Sequence, residues 1–89
     1  MHSDKKDYKF KNMKNPQEGE IWQHYKTKGE YTILGTGQMQ VKVTDLDMKD
    51  CVIYKALSDK KLWVRPLVDF IEEVNNEEGN PVQRFIRIR

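Results

Sequence analysis

Two short stretches carry the residues that could do chemistry together. HYK supplies His24, Tyr25 and Lys26, and KLWVRPLVDFIEEV, from Lys61 to Val74, supplies Trp63 and Arg65. A guanidinium grips phosphate or carboxylate with two parallel hydrogen bonds, an aromatic face accepts a cation or a stacked base, and a lysine adds a point charge. His24, Lys26, Trp63 and Arg65 therefore form the candidate face, with Tyr25 and Arg84 beside them. Arg84 has a second reading, because with Arg87 and Arg89 it also fits an Arg-rich last strand that keeps a sheet edge soluble. Trp63, with Tyr54 and Phe70, reads first as core, and Tyr25 is open to that reading too. Arg65 could instead pair with Glu72 or cap the helix that follows it. His24, Lys26 and Arg65 read as functional, since a small apolar core has no use for three cations.

Other chemistries find little support. Two histidines and one cysteine cannot build a closed metal site, and no His/Glu spacing matches a zinc motif, so no cofactor is expected. Cys51 and His24 lack a third group to orient them as nucleophile and base, so the chain is expected not to be an enzyme. Gly35 and Gly37 bracket a threonine as phosphate-cradling loops do, yet no helix pattern or lysine follows, and a bulge or barrel corner explains them better. Asp45, Asp47 and Asp50 lack the glycine and glutamate of a calcium loop and read as a solvated acidic turn.

The elements that must position these residues follow from periodicity. Glu20 to Lys26 alternates as a strand, with Trp22, His24 and Lys26 on one side and Ile21, Gln23 and Tyr25 on the other. A turn at Thr27 to Gly29 leads to a second strand over Glu30 to Thr36, which is expected to resume from Gln38 to Val43 after the glycine bend. Cys51 to Leu57 is the most hydrophobic run and reads as a central strand. Ser58 to Lys60 turns it into the Trp63 strand. Pro66 stops that strand, because it has no N–H for the ladder, and its fixed φ suits a first helical turn. Leu67, Phe70, Ile71 and Val74 then fall at i, i+3, i+4 and i+7, predicting a helix over residues 67–74. Asn75 to Gly79 reads as its stop, and Val82 to Ile88 as the closing strand.

The chain is 89 residues long and 34% charged, with three Phe, two Trp and four Tyr, which suits one small folded domain. Residues 1–18 show no sustained period and read as a mobile arm, in which Tyr8, Phe10 and Met13 could dock, leaving 19–89 as the domain. The expected fold is mainly β: a small SH3-like barrel of five or six strands with a helix before the last strand. A net charge of +2 allows a local basic patch and excludes a strongly basic protein. The single cysteine, with no signal peptide or membrane-spanning apolar run, points to a cytoplasmic setting without membrane contact.

The series His24, Tyr25, Lys26, Gly29 and Tyr31; Leu34 and Gly35; Val52, Tyr54, Ala56 and Leu57; Trp63 to Leu67 with Phe70; and Arg84, Phe85 resembles the bacterial and phage domain-of-unknown-function family number 1653. The resemblance covers about residues 19–88. It implies a small intracellular module and brings no activity with it. The chain departs from the family where GQMQVKVTDLDMKD replaces a stretch with a basic residue, histidine and acids, so any inherited role rests on the HYK and WVRP segments. Two roles compete for this module. One is binding an anionic ligand, a nucleotide or a nucleic-acid segment. The other is binding an extended or Pro-rich peptide in an aromatic groove, as SH3-type barrels do.

Overall fold

In the computed structural model, which describes residues 15–89, two hairpins with the same loop geometry set the frame. The first joins β1 (Ile21–His24) to β2 (Glu30–Gln38). Its loop is the four residues Tyr25 to Lys28: the Lys28 N–H donates to the His24 carbonyl at 3.0 Å and the His24 N–H to the Gly29 carbonyl at 2.9 Å. The second joins β3 (Asp50–Ala56) to β4 (Leu62–Pro66), with Lys60 and Ala56 repeating the first contact at 3.0 Å. Each loop ends on a lysine in the left-handed region, Lys28 at φ 65° and Lys60 at φ 63°, which turns the chain back into its partner strand. One consequence corrects the sequence-based expectation. β1 stops at His24, so Tyr25 and Lys26 sit in the loop and do not alternate along the strand.

β2 is continuous through the two glycines, with a register shift between Ile33 and Gly35 that matches the expected bulge. The strand expected over Gln38 to Val43 does not form. Residues 39–49 make a loop closed by Met39 and Lys49, with Met48 at φ 63°.

The helix is also shorter than expected. Pro66 ends β4 with φ −55° and ψ 141°, and α1 covers only Leu67–Phe70. β5 (Glu73–Asn75) then pairs antiparallel with β6 (Pro81–Gln83), Val74 opposite Val82. Asn76 explains why this hairpin displaces a longer helix: its Oδ1 accepts from both the Glu78 and Asn80 N–H groups at 2.9 Å, and Gly79 takes φ 82°. The expected closing strand is likewise divided. The chain bends at Arg84 between β6 and β7 (Phe85–Arg87), and β7 pairs with β1 instead of continuing the β5–β6 hairpin.

The fold is thus mainly β, an antiparallel sheet ordered β4-β3-β2-β1-β7 beside the two-stranded β5–β6 sheet. In a flat sheet β4 and β7 would lie about 19 Å apart, four spacings of roughly 4.8 Å. The Arg65 guanidinium on β4 nevertheless lies 5.8 Å from the centroid of the Phe85 ring on β7. The sheet is therefore strongly coiled, and its two edges approach each other through side chains. Trp22, Ile33, Val52, Tyr54, Phe70 and Phe85 fill the coil, with Tyr31, Leu67 and Ile71 packed against them.

Residues 1–14 of the expected arm, with Tyr8, Phe10 and Met13, lie outside the described residues. Of the remainder, Pro16 is fully buried. Among the described residues, no helix is long and apolar enough to cross a membrane.

Candidate functional site

Phe85 is the platform on which the candidate residues assemble. β7 carries it into register with His24 of β1, and the two rings meet edge to face with centroids 5.0 Å apart. Arg65 approaches the same ring from β4. Its Nε donates to the Tyr54 hydroxyl at 3.2 Å, and Tyr54 lies on β3, two residues beyond Arg65's cross-strand partner Val52. The guanidinium is thus fixed by one hydrogen bond, from Nε, and one ring face, so its two outer nitrogens are not used in that bond.

The other arginines differ. Arg84 pairs with Glu72 at 2.9 Å, Arg87 with Glu20 at 3.3 Å and Arg89 with Glu30 at 3.1 Å. Arg65 alone of the four has no carboxylate partner among the described residues. The alternative pairing of Arg65 with Glu72 does not form, because the bend that separates β6 from β7 sets Arg84 against the end of α1, where it pairs with Glu72 and its N–H also donates to the Glu72 carbonyl at 3.0 Å.

His24 has a defined state. Its Nδ1 accepts from the Lys26 N–H at 3.1 Å and more distantly from the Thr27 N–H at 3.5 Å, so the neutral ring carries its proton on Nε2. Burial first, and then the positive charges of Arg65, Arg84 and Lys26, hold the imidazole below its ordinary value of 6.5. His24 at neutral pH is an uncharged donor in a positive surround. Its ring stacks on Tyr25 with centroids 5.0 Å apart and planes 30° from parallel. Tyr25 and Lys26 also line a cleft of about 240 Å³ with Asn76, Glu77 and Glu78.

His24, Tyr25, Lys26, Arg65 and Arg84 are therefore brought together. Trp63 is placed differently. It is 45% exposed, so the expectation that it joins the core with Tyr54 and Phe70 is corrected, whereas those two are buried. The reason is position: β4 is an edge, and Trp63 lies two residues from Arg65 toward the open end, its ring under the Lys61 ammonium at 5.8 Å. Phe85 and Tyr54 are the parts of the site that sequence reasoning did not assign. Phe85 lies within the closing strand expected over Val82 to Ile88, and nothing local says that Arg65 will cross to it.

Comparison with known proteins gives one result: the family described as protein of unknown function DUF1653 matches residues 20–87. The chain belongs to that family. No curated protein and no solved structure matches it with significance. The DUF1653 match includes His24, Tyr25, Lys26, Trp63, Arg65 and Arg84 and leaves Arg89 outside. It thus places the whole Phe85 constellation within the DUF1653 domain. Among the described residues of this DUF1653 domain, no group of three His, Cys, Asp or Glu could hold a metal ion. A second cavity of about 340 Å³, lined by Pro16, Thr36, Gln38, Asp50 and Leu67 among others, presents a carboxylate and no cation.

Proposed function

We propose that the domain is a non-catalytic binding module for an anionic ligand, a nucleotide or a nucleic-acid segment, held at Arg65 and His24. The observation that carries this reading is the half-buried Arg65 guanidinium, oriented by Tyr54 and Phe85 and without a carboxylate partner among the described residues. Burying a cation without a partner costs free energy, and a phosphate that takes the outer N–H groups recovers it. His24 contributes its Nε2–H, and Lys26 and Arg84 add positive potential. The stacked Tyr25 and His24 rings offer an aromatic face to a base, and Trp63 offers a second one further along β4 for a longer strand. The buried free Cys51 suits a reducing, cytoplasmic setting.

The test is a nuclear magnetic resonance titration of the full chain with inorganic phosphate, adenosine triphosphate and a short single-stranded oligonucleotide. Saturable shifts should centre on His24, Tyr25, the Arg65 side chain and Phe85. The double variant Lys26→Ala with Arg65→Ala should weaken binding by at least roughly tenfold, about 1.4 kcal/mol, with a melting temperature close to that of the parent. Absence of shifts with all three probes, or unfolding of the double variant, assigns the cations to structure and ends the proposal.

A further inference from the structure

Among the described residues the outer side of β4 pairs with no other strand, and this second surface shares Arg65 with the Phe85 platform. The Ala56 N–H donates to the Lys61 carbonyl at 2.9 Å, which makes that pair a hydrogen-bonded one. Along an antiparallel ladder such pairs alternate with pairs whose backbone groups point away from each other. In the register Lys55 to Leu62, Tyr54 to Trp63, Ile53 to Val64 and Val52 to Arg65, it follows that Trp63 and Arg65 turn their backbone groups toward β3. Leu62 and Val64 turn theirs outward. Pro66 is next in the outward set and has no N–H, so it ends the row without cost to the ladder.

The outward row thus offers two N–H and two C=O groups to an extended chain, and its side chains are apolar and exposed. Leu62 and Val64 are each 58% exposed and Trp63 45%. Sheet edges are ordinarily protected by charges or bulges within the strand, and Leu62 to Val64 has neither. Cations surround it instead: Lys60 and Lys61 precede it, Lys55 lies opposite Leu62, and Arg65 follows it. The nearby acid Asp59 is engaged by the Lys61 N–H at 2.9 Å. A second copy laid antiparallel along β4 would bring Lys61 of one chain against Arg65 of the other. Like charges across such a ladder disfavour it, and the charge pattern instead suits a partner that is acidic at its ends.

We propose that β4 accepts an extended, acid-flanked apolar segment of a partner protein as an added strand. The partner's backbone pairs with Leu62 and Val64, its apolar side chains cover theirs, and its carboxylates meet Lys61 at one end and Arg65 at the other.

The probe is the capped peptide acetyl-EEVTVEE-amide, titrated into the isotope-labelled full chain. The amides of Leu62 and Val64 should shift more than those of Trp63 and Arg65, and their hydrogen exchange should slow. Reversing Lys60→Glu and Lys61→Glu together should weaken the peptide at least tenfold. Val64→Pro removes one outward donor and should abolish binding; the same peptide N-methylated on the nitrogens that face β4 should also fail to bind, which holds whether or not that variant folds. Shifts confined to His24, Tyr25 and Phe85 would overturn the proposal, since the peptide would then be only an anion for the other site. Equal binding by a peptide with lysine in place of glutamate would overturn it as well. Leu62 and Val64 amides already protected in the free protein would do the same, whether sedimentation showed the occupant to be a second copy or residues 1–14 of the same chain.

Discussion

Phe70 and Phe85 stack face to face, their centroids 4.1 Å apart and their planes 2° from parallel. One ring comes from the four-residue helix and the other from β7, so this contact fastens α1 beneath the ring that carries His24 and Arg65. Phe70 also meets Trp22 and Tyr54 edge to face, at 5.4 Å and 5.2 Å.

Phe70→Ala should therefore cost roughly 3–5 kcal/mol, a large share of what a domain of this size has. Val68 lies on the same helix and is 66% exposed, and Val68→Ala should change stability by less than about 0.5 kcal/mol. Urea denaturation of both variants checks the contrast.

Tyr54→Phe keeps the buried ring and removes the hydroxyl that accepts from Arg65. The expected loss of stability is about 1 kcal/mol. Because the charge of Arg65 is unchanged, a fall in phosphate affinity in this variant would come from loss of orientation. Calorimetric titration of both proteins reads the difference.

The lowered His24 pKa makes stability depend on pH in a definite direction. Unfolded His24 takes up its proton near the ordinary 6.5, whereas folded His24 resists protonation to a lower pH. Between those two values the unfolded state binds more protons, so the contribution of His24 is complete above about 6.5. It is lost as pH falls through the folded value. The urea midpoint of the parent should drop more between pH 7 and pH 5 than that of His24→Gln. Identical slopes would show that His24 is not the titrating group.

Glu72 holds Arg84 in a partly exposed ion pair. Glu72→Gln should cost less than about 1 kcal/mol of stability, and it releases the Arg84 guanidinium beside the site. Affinity for an oligonucleotide should rise, and its dependence on salt should steepen, because one more cation then displaces counterions. Binding isotherms at several salt concentrations test this.

Much of this arrangement was legible from local chemistry. Pro66 ends a strand because it has no N–H, and the alternating apolar residues of β1 to β4 call for two hairpins. The helix was misjudged in length for a physical reason. Leu67, Phe70, Ile71 and Val74 satisfy helical spacing, but one more turn of a short helix is worth little against a hairpin nucleated by Asn76 and Gly79. HYK was read as a strand because its alternation continues past His24. The imidazole, accepting the Lys26 N–H, helps turn those residues into a loop instead.

By itself the sequence determined that the protein is mainly β, roughly where its first four strands begin, and which cations and aromatic rings it has to offer, since turn chemistry and alternation act over a few residues. Only the tertiary structure decided which of them meet. The coil of the sheet carries Arg65 on one edge to Phe85 on the other, matches Arg84, Arg87 and Arg89 with acids, and leaves Trp63 on an open edge, because contacts between residues far apart in sequence depend on how the strands curl and not on any local pattern.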